Sequence, residues 1–144
     1  METKDVLETY FAVRRIINIV AVNELKELGI SPKKAAVLRI TKEYPNISLS
    51  CLSGMTVSDP STITRIIDSL TKQGLIIRKD SKEDRRAFVL SLSEKGEKLA
   101  EIVKIKHENI AETVFDCLSQ DEQKTLKNLL KKIVVDHNSI LKKG

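Results

Sequence analysis

The groups in this chain best suited to chemistry are hydroxyls and cations gathered between Ser58 and Leu92, SDPSTITRIIDSLTKQGLIIRKDSKEDRRAFVLSL. If the first part is helical, Ser61, Thr62, Thr64 and Arg65 fall within a turn and a half of one another. Lys79, Lys82, Arg85 and Arg86 follow, interleaved with Asp80, Glu83 and Asp84. Hydroxyls and guanidinium groups bind oxyanions, and an arginine can hold guanine O6 and N7 through two parallel hydrogen bonds. Covalent or metal chemistry has no comparable support. The chain has no phosphate-cradling glycine loop and no nucleophile elbow. His107 and His137 stand thirty residues apart, with no CxxC or HExxH pattern to recruit them to a metal. The pattern predicts a binding protein rather than an enzyme, without a metal or cofactor site.

Local signals say what must hold those groups. Asp59 or Ser58 can accept the first free N–H groups of a helix, and Pro60 has a fixed φ suited to its first position. Ile63, Ile66, Ile67 and Leu70 then form an apolar stripe at helical spacing, which leaves Thr62, Thr64, Arg65, Asp68 and Lys72 for the other faces. Gly74 can take the left-handed conformation that stops a helix. Beyond it, Leu75-Ile76-Ile77 and Phe88-Val89-Leu90 favour strands, and Arg78 to Arg86 between them is too polar to bury. A capped helix followed by a hairpin with a basic tip is the pattern of a winged helix-turn-helix. The first helix of that motif is short: Ser48 caps it, Leu49 and Leu52 face inward, and Gly54 weakens or ends it. Ser48 is also the expected phosphate contact at the start of this third helix, and Asp59–Lys72 is the second helix of the motif. A B-DNA major groove admits such a helix, whose N-terminal side chains then meet bases and phosphates. Blander readings exist for each part. Ser61 alone could be a helix cap with its neighbours on a solvated face, and the balanced charges of the tip suit any exposed hairpin.

The flanks are helical. Val6, Leu7, Tyr10, Phe11, Val13, Ile16, Ile17, Val20 and Leu25 recur at three- and four-residue spacing over residues 3 to about 29, ending at Gly29. Ser31-Pro32 restarts a helix that should end near Tyr44-Pro45. Ser93 with Glu94 opens a long helix through roughly Val114, striped by Leu99, Ile102, Val103 and Ile110. Ser119-x-x-Glu122 is a capping box, followed by Leu126, Leu129, Leu130, Ile133 and Val134. The predicted class is mainly α with a small β hairpin, in the order α-α-α-α-β-β-α-α. It comprises a winged helix-turn-helix over residues 31–92 and a helical dimerisation region formed by residues 1–30 and 93–144. The long stripes outside 31–92 call for cover, either from a second copy in an isologous two-fold interface or from folding back on the central unit.

Bulk properties agree. A chain of 144 residues has room for one ordinary domain, and 41% apolar residues suffice for its core. The net charge of +5 is compatible with a polyanionic partner, though weak evidence alone. No apolar run approaches the ~18 residues of a membrane span, and no signal-peptide pattern opens the chain. Cys51 and Cys117 make no disulfide scaffold and read as small buried hydrophobes, so a reducing cytoplasm is the expected setting.

The same residues resemble the MarR family (multiple antibiotic resistance regulators), dimeric winged-helix transcription factors. The likeness lies in SPKKAAVLRI, in STITRIIDSLTKQGLI and in DSKEDRRAFVLSLSEKG. Its most specific part is Asp84-Arg85-Arg86 followed by a β run and Ser93-Glu94-Lys95-Gly96, in register with Ser61-Thr62-Ile63-Thr64-Arg65. The chain departs from the family pattern at Ser53 and Val57, where an Ala and a turn Gly are common. The resemblance implies a homodimer on pseudo-palindromic double-stranded DNA, most often as a repressor. It implies that Arg86 enters the minor groove braced by Asp84, with Arg85 and Lys82 adding contacts from the wing. It also implies a crevice for a small anionic aromatic effector, for which Tyr10, Arg14 and Arg15 are candidate lining residues. The rival is a winged helix used as a protein-interaction module, which would present apolar rather than hydroxyl and guanidinium groups on its recognition helix.

Overall fold

The computed structural model describes residues 2–56, 58–83 and 87–143. The chain opens with α1 (Glu2–Leu25), which tightens into a 3-10 turn over Lys26–Leu28 and stops at Gly29, whose φ is 65°. Ser31 caps α2 (Pro32–Glu43) by accepting a hydrogen bond from the Lys34 amide. After α2 come β1 (Ile47–Ser48), α3 (Leu49–Gly54) and α4 (Pro60–Lys72). The hairpin β2 (Ile76–Asp80) and β3 (Phe88–Leu92) leads into α5 (Glu94–Phe115), then α6 (Gln120–Asp136) and α7 (Asn138–Lys143). The fold is mainly helical with one small antiparallel sheet, and its winged helix-turn-helix order is the expected one.

The structure corrects three details. The sheet has a third strand: β1 pairs with β3, Ile47 opposite Leu90 and Ser48 opposite Val89, giving the order β1-β3-β2. Two residues are too short a run to show alternation, and the chain reaches them through a turn at Asn46, which has a positive φ of 61°. The second difference is that β2 runs on through Arg78, Lys79 and Asp80, which the polar tip had been expected to claim. Those side chains are exposed on an edge strand, where charge carries no burial cost. Third, α7 follows α6 at the C-terminal end, past the last residue of the apolar stripe.

Leu38, Leu52, Ile63, Ile67, Leu70 and Leu90 are fully buried and form the centre of the core. The core is not confined to residues 31–92. Leu25 at the end of α1 and Ala100 and Val103 on α5 belong to it, and α5 packs along both α1 and α2. The joint between α4, β2 and α5 is tight. Gly74, with φ 74°, ends α4 in a Schellman arrangement, its amide bonding the Thr71 carbonyl at 3.0 Å and the Leu75 amide reaching the Leu70 carbonyl at 2.9 Å. Leu75 in turn receives the start of α5: the Ser93 amide donates to its carbonyl at 3.0 Å, and the Ser93 hydroxyl caps the Gly96 amide.

Gly96 is required by that approach. A Cβ built there would lie 2.0 Å from the Leu75 carbonyl oxygen, a backbone atom with no room to give. Gly96→Ala is therefore expected to destabilise the protein by about 1–3 kcal/mol through overpacking, lowering the midpoint of urea unfolding. An unchanged midpoint would mean that α5 can move off Leu75 without cost.

Candidate nucleic-acid interface

The candidate recognition helix α4 divides its faces cleanly. Ile63, Ile66, Ile67 and Leu70 are buried, while Ser61, Arg65, Asp68 and Lys72, spaced 4, 3 and 4 residues apart, form an exposed outer stripe. The cap is Asp59, whose Oδ1 accepts from the Thr62 amide at 2.9 Å. Ser61 is thus not the cap, and its exposed hydroxyl lies in the first turn of the helix. The Thr64 hydroxyl donates to the Pro60 carbonyl at 2.9 Å and keeps its oxygen lone pairs outward. Thr62 is half-buried, and its Oγ1 accepts from Arg65 Nη2 at 3.4 Å, which steadies the guanidinium along the helix. All four predicted residues are brought to the N-terminal half of one helix.

Hydrogen bonds from Thr62, first by its side chain and then by its amide, hold the Asp59 carboxyl below its ordinary range, and the Ser61 hydroxyl and the Arg65 charge act the same way. Ser48 caps α3, accepting from the Cys51 amide at 3.1 Å, and its hydroxyl proton remains available to an acceptor such as phosphate. Lys34 on α2 donates to Ser69 Oγ at 3.1 Å and so ties the second helix to the fourth.

The wing stands beside this helix. Its strands pair from Ile76 opposite Leu92 to Asp80 opposite Phe88, and the Ser81 amide donates to the Ala87 carbonyl at 3.2 Å across the base of the tip. Lys82 is exposed. Asp84, Arg85 and Arg86 lie outside the described residues, as does Val57 in the turn before α4. Sequence reasoning missed one link. Arg78 Nη1 lies 3.4 Å from Asp68 Oδ1, and its guanidinium carbon sits 3.8 Å from the centre of the Phe88 ring. The only available signal was an arginine placed two residues past the buried Ile76, on the outer edge of a strand.

Other candidate residues divide. Arg14 and Arg15 line an open groove of about 630 Å³ with Phe11, Ile17, Asn18 and Ala21 of α1 and with Pro32. Tyr10 does not line it; it is exposed, with its ring 6.2 Å from that of Phe11. Both cysteines are exposed and free, contrary to expectation. Leu52 is the one fully buried position of the short α3, and Cys51 points elsewhere. Among the described residues no cluster of His, Cys, Asp or Glu could hold a metal, and no helix is long and apolar enough to cross a membrane.

Comparison with known proteins decides the family. The sequence model of the MarR family matches residues 30–88. The HTH-type transcriptional regulator YpoP of Bacillus subtilis is 30% identical over 112 residues, which are 78% of this chain and 79% of that protein. The chain belongs to the MarR family. It is a transcriptional regulator, as the resemblance implied. The transcriptional repressor MprA of Escherichia coli is 38% identical over 116 residues, covering 76% of this MarR-family chain but only 64% of that protein. The fold is that of Escherichia coli MarR crystallised with operator DNA: the TM-score is 0.83 at 22% identity, over 92% of this chain and 96% of that one.

The cap of α4 titrates, which gives the interface an acid signature. Because folding lowers the Asp59 pKa, its contribution is complete above its ordinary value of 3.8 and is lost as pH falls through the lower value of the folded state. Asp59→Asn keeps an acceptor at the cap but does not titrate. The gap in thermal midpoint between wild type and Asp59→Asn should therefore be widest near neutrality and close on acidification, as followed by circular dichroism. A gap that persists or grows in acid would contradict the role of the ionised cap.

Proposed function

We propose that this MarR-family regulator is a homodimeric repressor that reads a pseudo-palindromic duplex, with α4 in the major groove and the wing in the adjacent minor groove. The observation that carries it is the outer face of α4, where Ser61 and Arg65 of the exposed stripe and the neighbouring Thr64 stand exposed on a helix whose opposite face is locked into the core. An interaction module would be expected to offer apolar groups there. Arg65 suits guanine, the hydroxyls of Ser61, Thr62 and Thr64 suit bases or phosphates, and Ser48 suits a phosphate at the start of α3. On the wing, Lys82, Arg85 and Arg86 supply positive charge, with Asp84 bracing Arg86 so that its guanidinium arrives oriented in a narrow, strongly negative groove. Repression is supported by the relative that bears that name, and duplex binding by the relative crystallised with its operator.

Dimerisation is supported by apolar surface without cover in the single chain. Val6, Leu7 and Phe11 on α1, Leu129, Leu130, Ile133 and Val134 on α6, and Ile140 and Leu141 on α7 are all more than 40% exposed. Covering what remains exposed removes apolar area from water at about 25 cal/mol per Å², so the helices at the two ends of the chain (residues 1–30 and 93–144) serve as the dimerisation region around the reader at 31–92. Two readers related by that axis would address half-sites about one turn, ~10 bp, apart. A small anionic aromatic effector fits the groove at Arg14 and Arg15, with Phe11 as a ring to stack on and the guanidinium groups to hold the anion.

Titrating the full chain onto duplex from immediately upstream of its own coding region tests the reading. Binding should be sequence-selective and should weaken steeply with salt. Arg65→Ala is expected to cost about 1–3 kcal/mol and to relax selectivity at one position of each half-site. Arg86→Ala should lower both the affinity and the salt slope, and unchanged binding by that variant would remove the wing from the mechanism. Sedimentation at micromolar concentration should return a two-chain mass for wild type and a one-chain mass for Leu130→Asp; a one-chain mass for wild type would remove the dimer.

A further inference from the structure

We propose that Arg78 is a positioning residue for the DNA reader: it clamps the wing to the recognition helix by joining the Asp68 carboxylate on α4 to the Phe88 ring on β3. The inference rests on the duplex-reading function proposed above and deepens it.

Three elements meet at this one side chain. Arg78 belongs to β2, where it stands opposite Leu90 of β3, and its guanidinium reaches diagonally to Phe88, the first residue of β3 after the tip. The same guanidinium lies 3.4 Å from Asp68. Asp68 follows Arg65 by three residues on the outer stripe, so the wing is tied to the very face of α4 that bears Ser61 and Arg65. Both partners are about half-exposed, 41% and 50%, so the pair adds little to overall stability in water. What it does fix is direction. A planar guanidinium held by a carboxylate at one edge and an aromatic face beneath has few orientations left, and the wing strands carry it rigidly. The other ties between α4 and the hairpin, the turn at Gly74 and the buried Ile76, act at the start of β2, whereas Arg78 acts further along the strand toward the tip.

The clamp has an electrostatic consequence. An unpaired carboxylate on the outer stripe would repel the phosphates flanking a groove, and Arg78 offsets that charge from the protein side. Its own charge is thereby committed to Asp68 and does not displace a counterion from DNA. Positioning and direct phosphate contact therefore predict different salt behaviour.

The test uses the full-length chain and a duplex that wild type selects from a randomised pool. Arg78→Ala made together with Asp68→Asn, so that no unpaired carboxylate is left against the phosphates, should weaken binding about five-fold, the scale of one exposed charge pair with a stacking contact, with the slope of log K against log salt unchanged. A slope reduced by about 0.9 per contact would make Arg78 a phosphate ligand and overturn the proposal, as would unaltered affinity. Arg78→Lys, which keeps the charge but not the planar stack, should recover only part of the loss; full recovery would reduce the clamp to simple charge and overturn it. Hydrogen exchange supplies a readout that needs no DNA. In Arg78→Ala the amides of residues 76–80 and 88–92 should exchange faster while those of α2 and α5 do not change. Unchanged wing protection overturns the clamp even if wild type selects no duplex, an outcome that would separately remove the duplex-reading function.

Discussion

The start of α5 lies against the backbone of Leu75, and the geometry of the whole reader depends on that contact. The Leu75 carbonyl accepts from the Ser93 amide and touches the only kind of residue that fits, Gly96. Leu75 is also the residue at which α4 has just ended and β2 is about to begin. One peptide unit thus fixes where the recognition helix stops, where the wing departs and at what angle the long helix leaves. Because α5 then packs along α1 and α2, the same joint relates the reader to the helices that carry the uncovered apolar surface. A movement of those helices would be felt at the recognition helix through backbone rather than through a chain of adaptable side chains.

Stability and recognition are supplied by different kinds of contact. The inner face of α4 is held by fully buried Ile63, Ile67 and Leu70, the sort of burial that sets whether the helix exists. The outer face is held by exposed pairs, Thr62 with Arg65 and Asp68 with Arg78, whose worth in water is small. Weak contacts are adequate there because they need only choose among orientations of a helix already in place. They also leave the hydroxyl and guanidinium groups close to the solvent, where a duplex could exchange water for its own oxygens.

How much was legible in the sequence followed from how local each signal was. Caps are written in one or two residues, and Ser31, Ser48, Asp59, Ser93 and Ser119 all begin helices where expected. Apolar stripes gave the longer helices, and a cap gave the short α3, but α7, a six-residue segment too short to establish a period, was not marked. The strand β1 was hidden because its evidence is its partner, Leu90 and Val89, more than forty residues away. The Arg78 link was hidden for the same reason: an arginine among charged residues carries no mark of which one it will meet. The cysteines went the other way. Their type predicts burial, but α3 has a single turn and a half with one inward position, and Leu52 takes it. Of the candidate site, the α4 hydroxyls and Arg65 were legible because a capped helix with one buried face leaves its other face determined.

The apolar surface that remains is too orderly to be incidental. Scattered exposed aliphatic residues need no explanation, but α6 has no buried residue at all, and its exposed Leu129, Leu130, Ile133 and Val134 recur at helical spacing. A helix of this length, with its capping box, a half-buried Leu126 and the Gln123 side chain donating to the Phe115 and Leu118 carbonyls, is marginal in water, since propagation barely repays nucleation without more packing. The sequence nevertheless specifies it strongly, with Ser119 and Glu122 closing both bonds of the box. A well-specified helix that the single chain leaves uncovered is one whose packing partner lies elsewhere. The exposed stripe of α1, at the other end of the chain, raises the same requirement. The proposed two-fold partner would meet both at once, because each copy offers both ends, and in doing so it would set the distance between two copies of α4.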